Sequence, residues 1–333
     1  MSEAEQVDAS DLASAIGAGR SNQDQAARIR VRAAWMYYIE NQTQSDIAKR
    51  LGISRVTVVR LLADARRRGE VRISIEAPLA DLAALERSLE SRYGIGEVII
   101  APHSGEGVDA TPVIAAAAGA YISQVITPDM TVGVGWGRTL HMALPHIMGR
   151  TLDNLRVVSL LGGIAQARRF NPAEFAWQFA ELFRGEGFLV PAPALVDCPE
   201  TKHALLEQCG LSQVFELAKH LDVALFSAGG IDTLTTSYRI GHLSESDRRS
   251  LMTAGAVGDV LYNFFDADGR IIDHPVNHRV ISADPAVLAR APRRVMISGG
   301  PEKVAALKAS FALIPPTTLI TDETTARALL TAG

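Results

Sequence analysis

Residues 44–62 read QSDIAKRLGISRVTVVRLL, and the architecture of the N-terminal part of the chain follows from them. Two short helices joined by a tight turn need a small residue where they touch, and Ala48 supplies it. The turn needs a residue that tolerates positive φ, and Gly52 stands four positions later. Apolar anchors lie at helical offsets on both sides, Ile47 and Leu51 before the glycine and Val58 and Leu61 after it. Thr43 and Ser54 are N-cap candidates for the two helices. The pattern is a helix-turn-helix. Its second helix opens with Ser54, Arg55, Thr57 and Arg60, types suited to phosphates and base edges in a major groove. Thr43 and Gln44, which begin the first helix, complete the expected DNA-contact set.

The charge distribution agrees with that reading. The chain has 333 residues and a net charge of -4. Residues 26–72 hold eleven Lys or Arg against four Asp or Glu, whereas residues 1–25 and the long remainder are acidic. A basic head on an acidic body suits a polyanion partner. A helical pattern over 25–41 precedes the motif, with Ile29, Ala33, Met36 and Ile39 near one face beside Trp35. After it, Arg66 and Arg67 are expected to meet phosphates, and residues 69–73 form either a wing or a linker strand. Leu82, Leu85 and Leu89 follow at helical spacing. That seam either pairs with a second copy or packs on the chain's own sheet.

Beyond Tyr93, strand-like runs at 98–101, 130–134, 156–160, 223–226, 294–297 and 318–320 alternate with helical segments at 114–125, 174–183, 245–252 and 302–311. This is the βαβ pattern of a mostly parallel sheet covered on both faces. The expected fold class is therefore α/β: a flexible tail over 1–24, a helix-turn-helix domain over 25–76, and a Rossmann-like α/β effector domain over 77–333. Two cysteines, Cys198 and Cys209, make no disulfide framework, no apolar run reaches 18 residues, and the first residues are acidic. A cytoplasmic protein without a membrane partner is expected, associated with the nucleoid when bound to DNA.

Four glycine clusters follow strand-like runs, at 133–139, 161–163, 228–230 and 298–303. Carboxyl ends of parallel strands line ligand crevices, and helix N-termini there offer N–H groups to anions. Arg138 beside the first cluster and Lys303 after the last add charge, so a phosphate or carboxylate site is expected. Asp259 is either an acceptor for sugar hydroxyls or a helix cap. The GxGxxG and GxxxxGK[ST] spacings are absent, which argues against dinucleotides and a P-loop. The pairs His141 and His146, and His274 and His278, do not make a metal set, and no GxSxG elbow occurs. No cofactor, metal or catalytic residue is expected.

The helix-turn-helix, followed in order by VGVGWGRTL at 132–140, LLGG at 160–163, LVPAPALVD at 189–197, DVALFSAGG at 222–230, GAVGDVLYNFFDADG at 255–269, SGGPEKVAAL at 298–307 and LITDETTA at 319–326, resembles the SorC family of bacterial sugar-responsive transcription regulators. The resemblance covers residues 25–332. It implies an effector domain like the sugar-phosphate isomerase, deaminase and CoA-transferase fold, used as a sensor without catalysis. It further implies homodimers or homotetramers that bind double-stranded operator DNA and respond to a sugar, polyol or sugar phosphate. By that resemblance Gly135, Trp136, Gly137, Arg138 and Thr139 map onto a phosphate-binding loop, with Gly162 and Gly163 beside it. Asp259 maps onto a hydroxyl-binding position, Lys303 onto a basic position and Asn171 onto a polar residue of the cavity. Arg138 stands where other members often carry a small or polar residue. The alternative is a sugar-phosphate isomerase or CoA-transferase-like enzyme drawing its acid and base from Asp259, Glu174 and Lys303.

Overall fold

The computed structural model describes residues 25–71, 80–102, 105, 107–164, 171–232 and 243–331. The expected tail over 1–24, and the strand or wing residues from 72 onward, lie outside the described residues. The chain divides into two compact units, Met1–Glu76 and Ala77–Gly333.

In the first unit, α1 (residues 25–38) precedes α2 (Gln44–Leu51) and α3 (Arg55–Arg67). Thr43 caps α2, its hydroxyl accepting from the Asp46 N–H. Gly52 ends α2 at φ 66, and the next N–H, of Ile53, returns to the Ala48 carbonyl at 3.0 Å. That left-handed cap makes the tight turn. Ala33, Ala34, Met36, Ile47, Ala48, Val58, Leu62 and Ala65 form the small core, with Leu51 and Leu61 packed on its edge. The α1 face differs from the sequence expectation. Ile29, Trp35 and Ile39 are exposed, and Arg30 takes the buried position instead. Its guanidinium forks onto the Glu70 carboxylate, with Nε donating to Oε2 at 2.6 Å and Nη2 to Oε1.

The second unit is built on a seven-stranded parallel sheet in the order β1-β10-β9-β5-β2-β3-β4. Its strands are β1 (Glu97–Ala101), β2 (Thr131–Val134), β3 (Arg156–Ser159), β4 (Glu186–Phe188), β5 (Val223–Phe226), β9 (Arg293–Ile297) and β10 (Thr318–Asp322). The helices are α4 (Ala80–Tyr93), α5 (Thr111–Val125), α6 (Arg138–Ala143), α7 (Pro172–Phe183), α8 (Pro199–Glu207), α9 (Ser212–Leu217), α10 (Glu245–Thr253), α11 (Val304–Leu313) and α12 (Glu323–Thr331). Alternate strand residues feed two apolar layers: Val223, Leu225, Val295 and Ile297 into one, Ala224, Phe226 and Met296 into the other. That period of two, with both faces buried, explains why these strands read as continuous apolar runs. α7 is set by Asn171 as cap and Pro172 in its first turn, and it lays Phe175, Phe179 and Phe183 along its buried face. Among the described residues no helix is long and apolar enough to cross a membrane.

The leucine seam of α4 packs inside its own unit. Leu82, Leu85 and Leu89 are buried with Val98, Ile100, Ala326 and Leu329. The opposite possibility, a seam open to a second copy, is thereby corrected. α4 also covers the edge strand β1: Glu90 and Glu86 accept from the Val98 and Ile100 N–H groups at 3.0 and 2.9 Å. Carboxylates one helical turn apart thus satisfy the edge donors that would otherwise invite another strand.

A second sheet was not legible in the sequence. β6 (Ala228–Gly230), β7 (Gly258–Val260) and β8 (Asn263–Phe265) form an antiparallel trio in that order. The apolar run 260–265 is therefore not one strand. It is broken at Leu261 and Tyr262 by a two-residue turn, with φ of 52° and 62°.

Candidate functional site

The order of the main sheet makes β2 and β5 neighbours, with the chain running outward from them in opposite directions. Such a switch point leaves a crevice at the strands' carboxyl ends. Three segments meet there. The 135–139 loop leaves β2, β6 continues β5 after one residue, and Ser298 at the end of β9 donates its hydroxyl to the Ala228 carbonyl at 3.0 Å. The Trp136 ring lies flat on the Tyr262 ring, with centroids 5.1 Å apart and planes at 14°. The β7–β8 turn is thus joined to the 135–139 loop.

Asp259 sits on β7 opposite Gly229. Its Oδ1 lies 2.6 Å from where a Cβ on Gly229 would stand, so only a bare Cα leaves room for the carboxylate. Oδ2 accepts from the Tyr262 N–H at 2.9 Å. Asp259 is 4% exposed. Burial lifts its pKa to about 6, against the opposing pull of the Tyr262 N–H and the Lys303 ammonium. Burial likewise pushes Lys303 below its usual range. Glu302 opposes that shift, Arg138 adds to it, and Asp259 and Asp232 oppose it. Arg138, Lys303 and Asp259 therefore share one electrostatic environment although they come from three distant stretches of chain.

The amides follow a stricter distribution than the glycine clusters suggest. Gly137 precedes α6 with no side-chain cap, so the first turn of that helix keeps donors to offer. The Gly135 N–H, by contrast, is taken by the Leu225 carbonyl at 2.8 Å. Gly162 and Gly163 donate to Ile281 and Ala192 at 2.9 and 2.7 Å. The Gly300 N–H goes to the Thr325 hydroxyl at 2.8 Å and to Asp322 Oδ2 at 3.2 Å. These four donors are committed to the fold. Gly162 is a packing position, since its Cβ would stand 2.6 and 2.7 Å from the Pro193 and Ala192 carbonyl oxygens. Gly162→Ala is expected to cost about 1–3 kcal/mol, read as a lower thermal midpoint, because the obstacle is backbone.

Thr139 is buried, and Arg138 is half-buried and paired with Asp109. Asn171 accepts from the Ala173 N–H at 3.1 Å and donates to the Ile164 carbonyl at 2.7 Å, so both ends of its amide hold local structure beside Gly163. Glu174 stands on the exposed side of α7, bonded to Gln178 at 2.9 Å, and forms no acid–base pair with Asp259. Sequence reading missed Asp322 and Thr325, which fix the Gly299-Gly300 turn through a 2.6 Å bond between themselves and through Gly300. It also missed Tyr262. Leu261 and Tyr262 both adopt left-handed backbone without being glycine, at about 1–2 kcal/mol each.

In the first unit, Arg55 and Arg60 are exposed on α3, while Ser54 caps the helix through the Thr57 N–H and the two hydroxyls bond at 2.8 Å. Thr57 is thus half-withdrawn into the cap. Gln44 Oε1 accepts from Arg55 Nε at 3.4 Å. Among the described residues the most exposed large apolar side chain is Val56 at 78%, with Val59 beside Arg60 on the same face. Neither was singled out from sequence, because apolar residues in a helix read as core. Of the terminal arginines, Arg67 pairs with Asp64 and Arg66 donates to the Tyr38 hydroxyl.

A family model described as "Putative sugar-binding domain" matches residues 77–331. The chain is 31% identical to the deoxyribonucleoside regulator of Bacillus subtilis (strain 168) over 306 residues, covering 91% of this chain and 97% of that one. It is 31% identical to the erythritol catabolism regulatory protein EryD of Brucella abortus (strain 2308), over 90% and 95% of the two chains. The full-length sorbitol operon regulator SorC of Klebsiella pneumoniae superposes with a TM-score of 0.70 at 25% identity, over 91% and 98%. The protein is a transcriptional regulator with a sugar-binding domain, and not an enzyme of the isomerase or CoA-transferase type. It belongs to the SorC family.

Proposed function

We propose that the chain binds operator DNA through α3 and releases or tightens that binding when a sugar, polyol or sugar phosphate enters the crevice at the carboxyl ends of β2, β5 and β9. The convergence of Arg138, Lys303 and Asp259 at one switch point carries this reading. Lys303, Arg138 and the uncapped first turn of α6 bind the anionic or electron-rich end of the effector, and Asp259 accepts from a hydroxyl. Gly135, Gly137, Gly162 and Gly163 shape the walls, and Trp136, Thr139 and Asn171 support them. On DNA, Arg55 and Arg60 read base edges or phosphates, with Thr43, Gln44, Ser54 and Thr57 holding the approach of the helix. One such module touches few base pairs, so the protein acts as a homodimer or homotetramer on paired half-sites, in the cytoplasm at the nucleoid. Effector and operator binding are then reciprocally coupled.

A thermal-shift panel of polyols, sugars and their phosphates identifies the effector, since a ligand of the folded state raises apparent stability. Operator affinity is then measured with and without it. Arg55→Ala is expected to weaken specific binding by about 1–3 kcal/mol. Lys303→Ala is expected to keep effector-free operator affinity and lose the response. A Lys303→Ala protein that still responds like wild type places the pocket elsewhere. Unchanged operator affinity when Arg55 and Arg60 are both replaced by Ala rejects α3 as the reading helix.

A further inference from the structure

We infer that the Tyr262 side-chain hydroxyl is a second hydroxyl-reading group of the effector pocket, working beside Asp259 on a ligand with two adjacent hydroxyls. The inference rests on the pocket assignment above and names its chemistry more closely.

Tyr262 is fully buried, and its hydroxyl makes no hydrogen bond to any described protein group. A buried hydroxyl without a partner costs stability, and its persistence asks for a reason. Packing is not that reason. The ring lies flat on Trp136 and meets Phe264 edge-on at 6.4 Å, and phenylalanine would make both contacts equally well. Backbone preference is not the reason either. The residue stands at φ 62 in a two-residue turn between β7 and β8, where glycine or asparagine sits without strain. The hydroxyl is the one feature of this side chain that neither packing nor the turn accounts for.

Its surroundings define what it recognises. The Asp259 carboxylate holds the Tyr262 N–H, and its charge, after burial, is what drives the phenol's pKa further up. The hydroxyl therefore stays protonated and lies in the field of the carboxylate. The Trp136 stack and the Phe264 edge keep the ring from turning away. A carboxylate only accepts hydrogen bonds, whereas a phenol both donates and accepts. One ligand hydroxyl donating to Asp259, and its neighbour accepting from Tyr262, uses both groups. That pairing is available in a vicinal diol and lost when either hydroxyl is missing. An inorganic phosphate does not require it.

The test uses the full chain and the Tyr262→Phe variant. Erythritol, sorbitol, 2-deoxyribose, their phosphate esters and inorganic phosphate are titrated calorimetrically, with thermal midpoints recorded without ligand. The expected result is a midpoint equal to or above wild type, since an unpartnered buried hydroxyl has been removed. Affinity for the diol probe that binds wild type best is expected to fall at least tenfold, with inorganic phosphate binding unchanged. Equal diol affinity in the two proteins overturns the inference and leaves the pocket standing. A midpoint several degrees lower overturns it too, because the hydroxyl then serves the fold. If wild type itself binds no polyol, sugar or phosphate ester, the pocket assignment fails and this inference falls with it.

Discussion

Asp259→Asn is expected to flatten part of the pH dependence of stability. The folded-state pKa of Asp259 is lifted from 3.8 to about 6 by burial. A group raised on folding supports the folded state fully below its unfolded pKa and loses that support as pH climbs through the folded one. Over the whole titration this carboxyl subtracts about 3 kcal/mol, ~2.2 pKa units at 1.36 kcal/mol each, of which about 2.4 falls between pH 4 and pH 7. Asparagine keeps an oxygen for the Tyr262 N–H and carries no charge at any pH. The difference in unfolding free energy between variant and wild type is thus expected to move toward the variant by about 2.4 kcal/mol over that interval. Denaturant titrations at pH 4, 5, 6 and 7 measure it, and parallel curves for the two proteins would contradict the assignment. The same variant is expected to lose the response to a hydroxyl-bearing effector. An acidic group that weakens the ligand-free fold at neutral pH is the stability–function conflict typical of binding sites.

Glu70→Ala is expected to unfold the first unit while leaving the second intact. Arg30 is 8% exposed, and Glu70 is its bidentate partner across forty residues of chain. Removing Glu70 from this part-buried pair strands the Arg30 charge. The general cost is about 3–5 kcal/mol, and partial exposure of the Glu70 carboxylate puts this case near 3. The hydrogen bonds from Arg30 hold the Glu70 pKa below its ordinary value, so the pair's contribution is present above about pH 4.5 and fades as pH falls. A core of eight small or medium apolar side chains has little reserve against that loss. Operator binding is expected to disappear while the effector-induced thermal shift of the second unit remains. Replacing the pair together, Arg30→Met with Glu70→Leu, is expected to restore much of the stability, because no charge is then left unpaired.

Residues 43–62 alone determined the helix-turn-helix, because a small contact residue, a left-handed glycine and two caps are local requirements met within twenty positions. The six long strand runs were legible for a related reason. A sheet buried on both faces demands unbroken apolar stretches, and 223–226 coincides with β5. Short antiparallel strands carry no such signal, and β6, β7 and β8 went unseen. Periodicity located the Leu82, Leu85 and Leu89 seam but had no means to say what covers it, since one apolar stripe suits a partner or a sheet equally. The glycine clusters marked where the chain turns, yet which N–H groups stay free depended on carbonyls brought in from elsewhere: Leu225 onto Gly135, Ile281 onto Gly162 and Ala192 onto Gly163. Likewise Arg138, Asp259 and Lys303 were each visible as charged residues beside glycines. Only tertiary structure put them in one field, buried Asp259 against Gly229, joined Arg30 to Glu70, and held Tyr262 under Trp136 with its hydroxyl unpaired. Local patterns are written by neighbours in sequence, whereas desolvation and pairing are imposed by neighbours in space.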